Sequence, residues 1–421
     1  MSYTSAALSG EGIGNQWHQR QSTALMGNYG HPRLTLESGH GRYVTDVHGK
    51  SYLDMIGGIA VSALGHNHPA ITAAVCDQVR HLAHTSNLYA HPTGIRLAEQ
   101  LLDIAGVVGK VFLCNSGTEA NEAALKIALL AGASDNRRRI VAAESGFHGR
   151  TLGALALTGK SDIRQPFAPF GIEVTFVPYG DAAALKEALG EDVAAVFLEP
   201  TQGEAGVVVP PKGYLAEART ACTKAGAALV CDEIQSGIGR TGRWFAHHSD
   251  KITPDLITVA KGLGGGLPIG ACIGVGPYAD VLVKGSHGST FGGNPVACAA
   301  ALAVINTIAH DDLLSHVTAM GEHLLSALKG HPAVAEVRGH GLWRGIGLHT
   351  TNAAEVCQRL EKHGVLANPV RPDTIRIAPP LTITQAEVDL FCAALATSLA
   401  EATSSQASPA GGNHLAQGAS E

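Results

Sequence analysis

The sequence predicts an α/β fold with a large domain on a mostly parallel, seven-stranded sheet and a smaller α+β domain assembled from both chain ends. Three observations lead there. Seven short apolar runs recur between residues 111 and 275, helical stretches separate several of them, and the segments outside that span are patterned differently. Short buried runs alternating with amphipathic helices are the signature of a parallel sheet covered on both faces.

The runs are Val111 to Cys114, Ile140 to Ala143, Val174 to Val177, Ala194 to Leu198, Ala227 to Cys231, Leu256 to Ala260 and Ala271 to Val275. Glu119 to Ala131 and Gly213 to Ala225 carry Ala and Leu at helical spacing. Leu34 to Val47 and Tyr52 to Met55 suggest an antiparallel piece with Gly-rich turns, and Thr374 to Ile377 reads as a strand within a mostly helical C-terminal third. The expected division is a small domain from 21–70 and 311–402, and a large domain over 71–310. The tails, 1–20 and 403–421, have little to bury and are expected to be disordered.

Bulk properties exclude several classes. A formal net charge of -6, with no basic run beyond Arg137-Arg138-Arg139, argues against nucleic acid; that triplet reads as a solvated loop or helix end. The eight cysteines form no CxxC pair and read as reduced, buried small hydrophobes of a cytoplasmic protein. The N-terminus lacks an apolar signal core, and no stretch reaches the ~20 apolar residues of a membrane span. His66 and His68 in GHNHP lack a third ligand, so no metal site is expected.

Ligands of an open parallel sheet sit beyond the carboxyl ends of the strands. There the runs end in Asn115-Ser116-Gly117-Thr118, Glu199-Pro200, Asp232-Glu233 and Lys261-Gly262. A lysine after an apolar run is desolvated and forms imines readily, although one so placed can also snorkel outward. A buried Asp232 needs a cationic partner, such as a protonated pyridine nitrogen, or else serves as a cap. Ser116-Gly117-Thr118-Glu119 opens a helix where free amides favour a phosphate, though Ser and Thr are also ordinary N-caps. Gly237, Gly239 and Gly242 satisfy GxGxxG, but no strand leads directly into them and no acidic residue follows at the right distance. A dinucleotide fold is rejected.

Taken together, GGIAVSALGHNHP (57–69), CNSGTEANEAALK (114–126), GFHGRT (146–151), LEPTQGEAG (198–206), CDEIQSGIGRTG (231–242), AKGLGGGLPIGA (260–271), HGSTFGGNP (287–295) and IRIAPPL (375–381) resemble the class III aminotransferases, pyridoxal-phosphate enzymes of the aspartate-aminotransferase-like fold (fold type I). The likeness spans about Gly30 to Leu399. GIAVSALGH and GFHGRT lean toward the branch acting on N-acetylornithine. The resemblance implies that Lys261 is the Schiff-base lysine and proton shuttle, and that Asp232 pairs with the ring nitrogen. Gln235 then reaches the ring hydroxyl, Phe147 stacks on the ring, and Ser116, Gly117 and Thr118 hold the phosphate. Thr290 is expected at the phosphate of a neighbouring subunit, which implies a homodimer with shared active sites, and Ser289 near the substrate. Arg150 is expected to hold the distal carboxylate of acetylornithine or glutamate, and Arg376 the α-carboxylate of glutamate, with Glu204 pairing Arg376 when that carboxylate is absent. 2-Oxoglutarate is the implied acceptor, within arginine synthesis. Ornithine, succinylornithine, succinyldiaminopimelate and 4-aminobutyrate are the sister substrates. Many relatives carry a second Gly where this chain has Ala205, and the extra methyl is expected to stiffen the loop bearing Glu204.

Overall fold

A computed structural model describes residues 10–350 and 352–407. Near the N-terminus, β1 (Leu36–His40), β2 (Tyr43–Asp46) and β3 (Ser51–Asp54) form an antiparallel meander. The central sheet follows, from β4 (Gly109–Cys114), β5 (Arg139–Ala143), β6 (Val174–Val177), β7 (Val193–Leu198), β8 (Ala228–Asp232), β9 (Leu256–Val259) and β10 (Gly270–Val275). The C-terminal third adds β11 (Val334–His340), β12 (Trp343–Leu348), β13 (Val365–Leu366), β14 (Asn368–Arg371) and β15 (Thr374–Ile377).

The central strands lie in the order β4-β10-β9-β8-β7-β5-β6. Pairing from β9 through β6 is parallel, whereas β10 runs antiparallel to both of its neighbours. Every residue of β7, β8 and β9 is buried, as expected of inner strands covered by helices on both faces. The two edge strands, β4 and β6, remain partly exposed, so the sequence overstated their burial. The strand β13 pairs parallel with β3 through Leu53 and Val365, so the first sheet is completed by a strand from the last quarter of the chain. β11, β12, β15 and β14 form the third sheet.

Several expectations need correction. A helix occupies Gly10–Ala24, where disorder was expected, and the last helix, Gln385–Ala407, runs into the segment assigned to the C-terminal tail. Residues 1–9 and 408–421 lie outside the described residues. The arginine triplet is only partly solvated. Arg137 donates to the carbonyls of Val193 and Ala225 at 3.2 and 2.7 Å, and Arg139 grips Asp192 at 2.6 and 2.8 Å, so both brace the start of the central sheet. Six cysteines are buried, but Cys76 is exposed and Cys392 is intermediate, packed against the edge of the main hydrophobic core. Among the described residues no single helix is long and apolar enough to cross a membrane.

Of the two histidines of GHNHP, only His66 has a side-chain partner that explains it, and the buried Nδ1 of His68 has none among the described residues. The His66 ring bonds Asp54 at 2.9 Å, and His68 sits at the N-cap of helix Pro69–His81. In GIGRTG the chain turns tightly without opening a helix. Its buried Arg240 donates to the carbonyls of Leu342 (3.2 Å) and Pro379 (2.5 Å), linking the loop after β8 to the C-terminal third. With no carboxylate among those bonds, burial lowers the Arg240 guanidinium to about 9.

Candidate active site

Three adjacent inner strands deliver three ionisable groups to one edge. Asp232 is the last residue of β8, Glu199 directly follows β7, and Lys261 lies two residues beyond β9. All three line a cavity of about 440 Å³, together with Ser116, Gly117, Thr118, Phe147, Arg150, Glu204 and Gln235. Burial lowers the Lys261 ammonium below its ordinary range, with Glu204 opposing that shift. The Lys261 backbone has φ +44°, a left-handed conformation costly for a side chain with a Cβ and therefore held by its surroundings.

The carboxylate of Asp232 is buried and thoroughly bonded. Its Oδ2 meets His148 Nδ1 at 2.7 Å and accepts from Asn121 Nδ2 at 2.8 Å, while Oδ1 accepts the Ile234 amide at 3.1 Å. Asn121 is fixed in turn by Thr258 Oγ1 at 2.9 Å and by donation to the His148 carbonyl at 2.7 Å. Burial alone would lower the His148 imidazole, but the Asp232 hydrogen bond and charge outweigh it and raise it. Sequence reasoning missed His148, Asn121 and Thr258. Nothing local distinguishes Asn121 from any polar residue inside a helix, and its partner is 111 residues away.

Burial also pushes the Glu199 carboxyl up to about 7. Sequence reading placed Glu199 at a strand end and gave it no role. The folded chain keeps this proton over a range where an unfolded glutamate, near 4.5, has lost it. The resulting stability is complete below about 4.5 and is lost as pH rises toward 7. Glu199→Gln in cofactor-free protein should therefore flatten the decline of Tm between pH 5 and 7. A slope identical to that of the parent would refute the assignment.

At the other end of the cavity, helix Gly117–Ala131 begins with a variant of the capping box, in which the glutamate bonds the amide of the residue before the cap. Ser116 Oγ accepts the Glu119 amide at 3.3 Å, and Glu119 reaches back to the Asn115 amide at 2.6 Å. The amides of Gly117 and Thr118 belong to the first turn, where a helix supplies no internal acceptor, so they remain donors for an anion. A Cβ at Gly117 would lie 2.7 Å from Ile234 Cδ1, hence glycine there. The Thr118 hydroxyl accepts the amides of Arg150 and Thr151, tying the helix start to the GFHGRT loop. The Arg150 guanidinium is exposed and lies 5.7 Å from the Phe147 ring centroid.

Arg376, on β15, is 4% exposed and donates to Glu204 Oε1 at 2.5 Å and to Asn368 Oδ1 at 2.8 Å. Burial would raise the Glu204 carboxyl, but Arg376, assisted by Lys261 and Lys160, holds it below the usual range. The pair forms with Ala205 in place, and Ala205 itself is buried. Arg376 is not a lining residue, and it communicates with the cavity through Glu204. Ser289 and Thr290 are not brought to this cavity within one chain. The Ser289 hydroxyl is occupied by Asn115 Nδ2 at 3.0 Å and the Gly292 amide at 2.9 Å, and Thr290 is exposed.

The family model of class-III aminotransferases matches residues 26–399. The chain belongs to that family. Class-III aminotransferases are pyridoxal-phosphate-dependent transferases, and this one is an enzyme of that kind. It is 53% identical over 378 residues to the acetylornithine aminotransferase of Mycolicibacterium smegmatis, covering 89% of this chain and 96% of the relative. The acetylornithine aminotransferase of Mycobacterium tuberculosis strain H37Rv is also 53% identical, over 381 residues, covering 90% and 94%. The ornithine aminotransferase of Toxoplasma gondii shares the fold at TM-score 0.89 and 31% identity, covering 95% of this chain and 97% of that one. The N-acetylornithine aminotransferase of Stenotrophomonas maltophilia matches at TM-score 0.79 and 34% identity, covering 90% and 99%.

The cavity of this class-III aminotransferase suits the cofactor. Two buried polar atoms in its wall, His148 Nε2 and Gln235 Nε2, have no hydrogen-bond partner, and a buried carboxylate and a helix start lie in the same wall. Those features match a ring with one basic nitrogen, a ring hydroxyl and a phosphate.

Proposed function

We propose that the enzyme transfers the terminal amino group of N2-acetylornithine to 2-oxoglutarate, giving N-acetylglutamate 5-semialdehyde and glutamate, as a step of arginine synthesis. The observation that carries the terminal-amine part of this reading is the 2.5 Å pair between Glu204, which lines the cavity, and buried Arg376 behind it. A bidentate guanidinium suits an α-carboxylate, and a neighbouring carboxylate that occupies it suits a substrate presenting only a terminal amine there. The relatives named acetylornithine aminotransferase, at 53% identity, support the same reading.

When bound, pyridoxal phosphate supplies a carbonyl that condenses with amines and a protonated ring that accepts an electron pair. The chain's residues do the rest. Lys261 Nζ, whose proton affinity burial lowers so that more of it is the neutral amine, takes the proton from the amine-bearing carbon and returns it. Asp232, steadied by His148 and Asn121, keeps a positive charge at the ring nitrogen. The amides of Gly117 and Thr118, with the Ser116 cap behind them, hold the phosphate, and Phe147 and Gln235 orient the ring. Arg150 holds the distal carboxylate. Arg376 is neutralised by Glu204 in the terminal-amine half-reaction and takes the glutamate α-carboxylate in the other, when Glu204 turns aside.

We also place the enzyme in the cytoplasm as a homodimer with shared active sites. Leu88, Tyr89 and Phe291 are 86%, 71% and 61% exposed near Ser289 and Thr290, an apolar surface that a second copy would cover. The partition into a large domain over 71–310 and a small one from 21–70 and 311–402 belongs to the same proposal.

Steady-state kinetics with 2-oxoglutarate as acceptor tests the substrate. Acetylornithine should give the highest kcat/KM among acetylornithine, succinylornithine, succinyldiaminopimelate, ornithine and 4-aminobutyrate. A clear preference for free ornithine would move the enzyme to the branch of the Toxoplasma gondii neighbour.

A further inference from the structure

The loop that carries Glu204 is held by its main chain in an unusual way. Three consecutive carbonyls each accept from a cationic side chain belonging to a different part of the chain. Lys160 Nζ donates to the Glu204 carbonyl at 2.9 Å, and Arg371 Nη1 to that of Ala205 at 3.3 Å. Arg338 donates to the Gly206 carbonyl through both Nε and Nη2, at 3.2 and 3.0 Å. Lys160 immediately precedes the short helix Ser161–Arg164, Arg338 lies on β11, and Arg371 ends β14.

The loop is closed at its base as well. Gln202 and Val208 exchange two main-chain hydrogen bonds of 2.9 Å each. Between them, Gly206 and Val207 adopt φ values of +104° and +55°, a turn that fixes the direction of the three carbonyls. Against this rigid frame the Glu204 side chain remains 27% exposed, while its partner Arg376 is 4% exposed. The frame is fixed, and the carboxylate is the part with room to move.

We propose that Lys160, Arg338 and Arg371 are positioning residues for substrate selection. They hold the main chain at 204–206 so that Glu204 reaches or leaves Arg376 by side-chain rotation alone. The closed arrangement needs the Glu204 carboxylate at one place, so freedom in the loop lowers its effective concentration at Arg376. The open arrangement needs it only to be elsewhere and is not penalised. Weakening the clamp therefore disfavours the terminal-amine half-reaction selectively. This inference rests on the reading of Glu204 as the residue that alternates at Arg376.

The test follows each half-reaction separately with the holoenzyme, using glutamate in one arm and, in the other, whichever terminal amine the parent enzyme turns over best. Arg371→Met and Lys160→Met should each lower kcat/KM for the terminal amine by about 3- to 10-fold and leave that for glutamate within about twofold. Arg371→Lys should recover most of the loss, because an ammonium can still donate to the Ala205 carbonyl. In a Glu204→Ala background the same substitutions should no longer change the ratio of the two half-reactions, since the group they position is gone. An equal loss in both arms, or a ratio change that persists without Glu204, would mean that the cations serve stability alone and would overturn the proposal. Arg371 is exposed, so its variants should fold even if Lys160→Met does not. Failure with acetylornithine but turnover of another terminal amine would sink the substrate assignment and leave the clamp to be judged by the ratio.

Discussion

Lys261→Ala should abolish transamination, with kcat falling by on the order of 10⁴-fold, the upper end of what a positioned general base contributes. Two functions disappear with that one amine, covalent attachment of the cofactor and proton transfer at the substrate carbon. No other lysine lines the cavity to replace it. Cofactor binding should persist in weakened form, because the helix start at Gly117 and Thr118, the Asp232 carboxylate and the Phe147 ring are untouched. Equilibrium dialysis of the variant with pyridoxal phosphate, alongside single-turnover measurements with glutamate, separates the two effects. Borohydride treatment should leave a cofactor mass on Lys261 in the parent and none in the variant. Turnover near the parent level would remove Lys261 from the mechanism.

Asp232→Asn should be the next most damaging change, lowering kcat by about 10²- to 10³-fold, the range seen when one preorganised electrostatic group is removed from an active site. Asparagine keeps the volume and an acceptor for the Ile234 amide, so the fold should survive. What it loses is the charge that makes a protonated ring nitrogen favourable in a buried place. His148 loses its charged partner at the same time, and its imidazole should fall back from its raised value. The loss should therefore appear in kcat more than in KM, and both half-reactions should suffer. A variant impaired only in KM would place Asp232 in substrate binding instead.

The strands of the central sheet were legible because each is a short apolar run, and inner strands buried on both faces have little choice of composition. Lys261, Asp232 and the Ser116 to Thr118 segment were legible because the carboxyl ends of such strands are where polar residues stand out against apolar neighbours. Glu199 was visible by the same rule, but its raised proton affinity depends on burial, which no local pattern encodes. His148, Asn121 and Thr258 escaped because their meaning lies in contacts between elements far apart in sequence; Asn121 and His148 converge on Asp232 only after the sheet has formed. The Gly10–Ala24 helix was missed because its composition, with three Gly and three Gln, carries no apolar stripe to betray it. Arg137 and Arg139 misled in the opposite direction, since a charge run looks solvated until its partners at Asp192, Val193 and Ala225 are known.

The pairing of Leu53 with Val365 has a consequence for biosynthesis. A growing chain makes the first three strands of its opening sheet early, yet the fourth emerges about 310 residues later. At a synthesis rate of about 5–20 residues per second, the edge of β3 waits roughly 15 s to a minute for its mate. During that interval it offers unpaired peptide groups to any other nascent chain on the same message.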